Sequence, residues 1–300
     1  MMIKIFKNVI DYNFIQKRFF ALILSGTLIV LSLGSFLYQG INWGIDFSSG
    51  YIVQLKFQDN VEIDNLSQKL SKSNFAKPVL QYYGSKNEVI VKFQENSFVN
   101  EKNINEFLLQ NLEDQSYKLM KLEFVGSQIG SELRDKGEWA MLVALLSILV
   151  YIGFRFEFLY GIGAIFALIH DVIITVGIFS LMQLEFDLSV LSAILAVIGY
   201  SLNDTIVVFD RIRENTRTIR ESSFMKILNI SINQTLNRTV VTSLTTLFVL
   251  VSLLLLGGIA VTNFAIAMIV GVLIGTYSSI FVAGSSLIYL GVQVESEDQK

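Results

Sequence analysis

Residues 188–214 read LSVLSAILAVIGYSLNDTIVVFDRIRE. The first 22 of them, 188–209, contain no Lys or Arg and are long enough to cross a hydrocarbon core of about 30 Å at about 1.5 Å per residue. Asn203 and Asp204 interrupt the run about five residues, or roughly 7–8 Å, before its charged end. A carboxyl at that depth costs at least about 2.5–3.5 kcal/mol on insertion scales, so it is expected to face protein or a wet cavity and to mark a functional site. The segment then closes on Asp210-Arg211-Ile212-Arg213-Glu214, a basic collar beneath an acidic group. A proton or ion relay explains that pattern better than a passive anchor.

The rest of the chain agrees with a membrane solvent. Its 300 residues are 52% apolar and only 16% charged, with a mean hydropathy of +0.55, whereas soluble domains are about 45–50% apolar and about 25% charged. There is no cysteine, so no disulfide, thiol nucleophile or Cys-based metal site is available. The one histidine, His170, excludes a multi-His zinc site, and the one proline, Pro78, lies outside every apolar run. Neither a metal nor a cofactor is expected, and nothing points to nucleic acid.

Six spans are expected, over residues 19–38, 139–154, 159–181, 188–209, 239–256 and 259–290, the last as a span plus an interfacial extension. The first run is too long for the about 7–15 apolar residues of a cleavable signal, so it is read as a retained span. An inside N-terminus places Lys4, Lys7, Lys17, Arg18, Arg155, six basic residues of the 210–238 loop and Lys300 on one side, twelve of the 23 Lys and Arg. The short outside loops, 183–187 and 257–258, hold none. By the positive-inside rule both termini are cytoplasmic and the long block after the first span is exported. The expected divisions are 1–38 (N-terminus and first span), 39–138 (exported, periplasmic domain), 139–294 (five-helix bundle) and 295–300 (cytoplasmic tail).

Within the exported block, 51–57 (YIVQLKF) has strand alternation. Residues 61–74 space Ile63, Leu66 and Leu70 as an amphipathic helix. Two strands, 78–83 and 88–93, flank a Gly84-Ser85-Lys86-Asn87 turn, followed by a helix at 98–112 and a strand at 118–125. The order βαββαβ is the ferredoxin-like pattern. With no cluster of catalytic residues in it, a mechanical or binding role is expected rather than chemistry. Residues 126–138 are expected to return the chain to the bilayer as an amphipathic helix.

Four residues are candidates for proton movement. Asp204 is the first, with Arg238 as its partner at the start of the fifth run and at a similar depth. Arg keeps its charge at accessible pH whereas Asp need not, so the pair can open and close. Asp171 lies near the middle of the third span, where a carboxyl is costlier still; beside it His170 can titrate near neutral pH. A pair that only fixes helix packing is the plainer reading of these two. In the sixth run Ala267, Gly271, Gly275, Ser279 and Ala283 form a small-residue stripe that lets another helix approach, in this chain or in a partner.

Several motifs together resemble the SecD/SecF family of the bacterial Sec protein-export machinery, within the wider RND superfamily. Gly44-Ile45-Asp46-Phe47-Ser48-Ser49-Gly50 is similar to that family's GIDFxGG, with Ser49 in place of the first closing glycine. Val125-Gly126-Ser127-Gln128-Ile129-Gly130 resembles VGPxxG, with Ser127 for proline. His170-Asp171-Val172 matches HDV, and Gly199-Tyr200-Ser201-Leu202-Asn203-Asp204-Thr205 matches the fourth-span motif. Asn237-Arg238-Thr239 opens the fifth span as in that family. The resemblance implies a SecF-type, non-enzymatic subunit of the inner membrane. It would pair with SecD and serve the SecYEG channel, with SecA on the cytoplasmic side, using the proton-motive force to draw preproteins outward. The family's proton-conducting carboxyl falls on Asp204 and its basic partner on Arg238. The competing reading is an RND-like proton-coupled transporter subunit for a small solute, which would need a polar cavity at mid-membrane.

Overall fold

A computed structural model of the chain describes residues 12–71, 78–94, 101–112, 116–155, 158–219, 223–258 and 261–292. Lys4, Lys7, Arg220, Lys300 and the 295–300 tail lie outside them. Among the described residues six helical runs are long and apolar enough to cross a membrane. They comprise α1 (Arg18–Gln39), α5 (Ser127–Arg155), α6 (Phe158–Met182), α7 (Leu188–Thr218), α8 (Phe224–Leu256) and a sixth run built of α9 (Thr262–Ser278), a π turn (Ser279–Ala283) and α10 (Gly284–Tyr289). This is a multi-pass membrane protein.

Between α1 and α5 the chain forms a short helix, α2 (Ile45–Ser48), and then β1 (Gly50–Phe57), α3 (Ile63–Ser71), β2 (Val79–Tyr83), β3 (Ser85–Gln94), α4 (Glu101–Asn111) and β4 (Tyr117–Val125). The sheet order is β2-β3-β1-β4, antiparallel throughout, which is the ferredoxin-like arrangement. Alternate residues Val53, Leu55 and Phe57 of β1 and Val89, Val91 and Phe93 of β3 face one core with Leu66, Leu70, Ile104 and Leu108 from the two helices, the period-2 and period-3.6 faces that the sequence carries. The β2–β3 turn is tighter than the four-residue turn expected. Gly84, at φ +75°, turns the chain alone and Tyr83 pairs with Ser85.

Three membrane elements differ from expectation. The returning helix and the second span are one continuous helix of 29 residues, α5. The fourth span does not end at its basic collar: α7 runs nine residues further, and α8 begins well before the fifth apolar run. No Gly or Pro interrupts 210–218, and the extensions join through Asn215, which donates to Ser231 Oγ and Gln234 Oε1, both at 2.8 Å. The sixth run continues as one helical stretch from Thr262 to Tyr289 through the π turn. Its last turns pack inward, burying Ile280, Ala283 and Leu287, and the irregularity is absorbed in the π turn.

The small-residue stripe packs within the chain. A Cβ on Gly271 would lie 2.1 Å from Val197 Cγ2, and one on Gly275 would lie 2.9 Å from Ser201 Cβ, so α9 seats directly on α7.

Candidate functional site

Among the described residues two buried carboxyls, Asp171 and Asp204, lie inside the bundle, and a polar clasp ties the bundle to the sheet domain. Asp204, on α7, is 2% exposed. Its Oδ2 has no hydrogen-bond partner among the described residues, and neither do the buried Thr205 Oγ1 on the same helix and Thr239 Oγ1 on α8. Ser243 and, at longer range, Arg238 are the α8 side chains that act on the carboxyl. Arg238 itself is exposed, and no ion pair within 4.0 Å joins it to Asp204. The structure therefore brings the expected partners within electrostatic range on the adjacent helices α7 and α8 without closing the pair. Unpartnered buried oxygens are rare because each costs about 1–3 kcal/mol. Asp204 Oδ2 is the one carboxylate oxygen among the seven unpartnered buried side-chain atoms of the described residues.

Asn203 and Gly199 point the other way. Both are exposed, in line with Ser192 and Ala196, and nothing comes within 4 Å of the Cβ position at Gly199.

Asp171 is 1% and His170 4% exposed, on the inward face of α6. Asp171 Oδ1 lies 2.8 Å from His170 Nδ1, while Oδ2 accepts from Ser201 Oγ of α7 at 2.5 Å and Ser278 Oγ of α9 at 2.7 Å. His170 Nε2 lies 3.1 Å from Ser25 Oγ of α1, which in turn lies 3.0 Å from Tyr277 Oη of α9. One dyad thus joins four spans. Ser25, Tyr277 and Ser278 are silent in the sequence, because isolated hydroxyls in apolar runs give no signal until the helices are placed. Ser201 alone was legible, since it shares a face with Asp204 three residues on.

The clasp explains the glycine motifs. Gly44 N–H donates to Phe186 O at 2.9 Å and Phe186 N–H to Asn42 O at 2.8 Å, stitching the loop after α1 to the α6–α7 loop. Gly44 is there because a Cβ would meet Phe186 O at 3.2 Å and Glu185 Oε1 at 3.1 Å. Asp46 Oδ2 accepts from the Leu188 N–H at 3.1 Å, while Asp187 caps α7 through Val190 N–H at 3.0 Å. Two carboxylates therefore sit at the amino end of the helix that carries Asp204, where the backbone donors and the helix dipole favour negative charge. Phe47 packs its ring against Trp43 and Phe186. Gly130 brings α5 within 3.1 Å (Cβ position to Phe47 C) of the α2 backbone, and Arg134 Nη2 donates to Phe47 O at 3.0 Å. Gly126 sits at the head of α5, with only the Phe124 ring near, at 3.5 Å.

Gly50 is obligatory. At φ +156° its Cβ position would be 2.1 Å from Phe93 O, across the β1–β3 pairing. Ser49 keeps the turn despite its side chain, in the left-handed region at φ +71°. On the helix-free face of the sheet, Lys92 Nζ reaches Glu185 at 2.8 and 3.0 Å, with side chains only 16% and 9% exposed. Glu185, two residues before the α7 cap Asp187, carries no signal in the sequence.

An apolar cleft of about 500 Å³ opens between α5, α6 and α7, lined by Trp43, Phe47, Leu145 and Leu191 among others. Neither Asp171 nor Asp204 lines it, so it is not the polar mid-membrane cavity that a solute transporter would require.

Comparison with known proteins follows the same lines. The family profile described as protein export membrane protein SecD/SecF, C-terminal, matches residues 105–293, and that of the SecD/SecF GG motif matches residues 34–61. Over 283 residues the chain is 42% identical to the protein translocase subunit SecF of Pseudomonas aeruginosa, covering 94% of this chain and 92% of that protein. It is also 42% identical over 293 residues to SecF of Escherichia coli O157:H7, covering 95% and 89%. Its fold matches the crystal structure of SecDF, a translocon-associated membrane protein from Thermus thermophilus, with a TM-score of 0.81 at 37% identity over 97% of this chain. The chain spans 39% of that longer protein.

Proposed function

The chain belongs to the SecD/SecF family of protein-export membrane proteins, and from that premise we propose that it is a proton-motive-force-driven auxiliary subunit of the Sec translocase. It works without covalent chemistry in the bacterial inner membrane, both termini inside and the ferredoxin-like domain in the periplasm. SecD is its partner, SecYEG the channel it serves with SecA on the cytoplasmic side, and preproteins its cargo. The exposed row Ser192, Ala196, Gly199 and Asn203 on α7 supports a second set of spans packing there, since small residues let helices approach closely.

The observation that carries the reading is Asp204, buried on a membrane-spanning helix with one oxygen unpartnered and an arginine in electrostatic range but outside contact. Ionised, the carboxylate draws Arg238 inward; protonated, it releases the guanidinium to water. Each exchange repacks α7 against α8. The head of α7 is held by Asp46 and its neighbour Glu185 by Lys92, so movement of α7 reaches the sheet domain through polar contacts rather than through a flexible linker. One proton crossing 100 mV supplies about 2.3 kcal/mol, enough to bias a two-state element more than tenfold.

The test is preprotein export into inverted vesicles carrying the chain with its SecD partner, with and without a proton gradient. Asp204→Asn and Arg238→Met should each abolish the gradient-dependent part of export. Full gradient dependence in both variants would end the proposal.

A further inference from the structure

We infer that the His170–Asp171 pair is a second proton-binding station, holding one proton more than a neutral imidazole beside a carboxylate would. The argument is a count of hydrogens and is independent of the role given to Asp204. Ala21 O, Tyr277 Oη, Ser25 Oγ and His170 Nε2 form a row of three contacts, at 2.7, 3.0 and 3.1 Å. Each lies within hydrogen-bond distance, and each filled contact holds one hydrogen between its atoms. Ala21 O is a carbonyl and supplies none, so the Tyr277 hydroxyl must donate to it. Tyr277 then has no hydrogen left for Ser25, and the Ser25 hydroxyl must donate to Tyr277 Oη. That leaves the third contact to His170, whose Nε2 must carry a hydrogen.

A neutral imidazole has now used its one N–H. The fourth contact, Nδ1 to Asp171 Oδ1 at 2.8 Å, still needs a hydrogen, and it comes either from a doubly protonated ring or from a carboxylic acid. Both forms hold the same extra proton. Asp171 Oδ2 accepts from both Ser201 Oγ and Ser278 Oγ, so the proton shared by the pair lies between Oδ1 and Nδ1. The groups that face the pair are Ser25 on α1, Ser201 on α7, and Tyr277 and Ser278 on α9, all uncharged.

Loss of that proton has a structural consequence. The remaining hydrogens cannot fill all four contacts, so one opens. Either the Nδ1 hydrogen is kept and the row between α1, α6 and α9 loses a member, or the dyad separates and leaves an ionised carboxylate in the bilayer held by the Ser201 and Ser278 hydroxyls alone, the costlier outcome. Occupancy of the dyad is therefore linked to how α1 and α9 hold α6.

Because the chain has a single histidine, uniform ¹⁵N-histidine labelling reports on His170 alone. In the full chain in lipid nanodiscs at pH 7, Nε2 should carry a proton, and Nδ1 should either carry one or accept one from Asp171. In Asp171→Asn the ring should become a neutral tautomer, with acid–base titration of the purified protein showing one bound proton fewer per chain. Ser25→Ala, a milder change, removes the contact that calls for a hydrogen on Nε2, so the ring should become a neutral Nδ1–H tautomer and the extra proton should be lost. A neutral ring with a bare Nε2 in the parent protein, or an Asp171→Asn spectrum identical to it, would overturn the inference.

Discussion

Replacing Gly271 by Ala tests whether α7 and α9 are as tightly seated as the structure has them. The added methyl would lie 2.1 Å from Val197 Cγ2 and 2.6 Å from Cγ1, against an ordinary carbon–carbon separation of about 3.5–4.0 Å. Valine in a helix has essentially one χ1 rotamer, so it cannot swing clear, and the helices must part by about 1.5 Å locally. Overpacking of this kind costs about 1–3 kcal/mol, and the roughly 0.5–1 kcal/mol that Ala gains over Gly in a helix offsets only part of it. Val197→Ala alone empties a buried site (1% exposed) at a cost of about 1–3 kcal/mol. In the double variant the new methyl fills the space that valine leaves, so its stability should return to within about 1 kcal/mol of the parent, a coupling of about 2 kcal/mol, well above the about 0.3–0.5 kcal/mol scatter of independent sites. Reversible unfolding of the four proteins in mixed micelles measures the cycle. Additive effects would refute the packing, and with it the assignment of the small-residue stripe to this chain's own bundle.

Other outcomes follow from the clasp and the turn. Glu185→Gln leaves Lys92 largely buried without its counter-charge and should cost about 2–3 kcal/mol, less than a fully buried pair because Lys92 keeps some solvent; hydrogen exchange should quicken in β2 and β3 while α6 and α7 keep their protection. Asp46→Ala removes an acceptor from the head of α7 and should lower stability by about 1 kcal/mol, read by the same unfolding assay. Ser49→Gly should raise stability by about 1 kcal/mol by relieving a left-handed residue, whereas Gly50→Ala should prevent β1 from pairing with β3 at that end, seen as lost exchange protection at Phe93.

What the sequence revealed and what it hid divide by the range of the interaction. Strand alternation in 51–57 and the 3/4 spacing of Ile63, Leu66 and Leu70 are local, and the βαββαβ order and all six spans followed from such patterns. The ends of α7 and α8 did not, because a hydropathy run stops where the membrane does while a helix stops where its backbone bonds stop, and Asn215 and Ser231 keep the two extensions together. Asp204 was legible because a carboxyl in an apolar run is conspicuous by cost alone. Its distance from Arg238 was not, since depth along two helices says nothing about their rotation. The hydroxyls around Asp171 and the Lys92–Glu185 pair come from residues 30 to 107 positions apart along the chain, and no periodicity brings those together.

The central claim is that Asp204 takes up and releases protons that cross the membrane. Proton flux into vesicles carrying the chain with its SecD partner, followed by an internal pH dye under an imposed potential, tests it most directly. The account predicts flux in the parent, none above empty vesicles in Asp204→Asn, and flux retained in Asn203→Ala, whose side chain points away from the site. Flux in Asp204→Asn equal to that of the parent would contradict it.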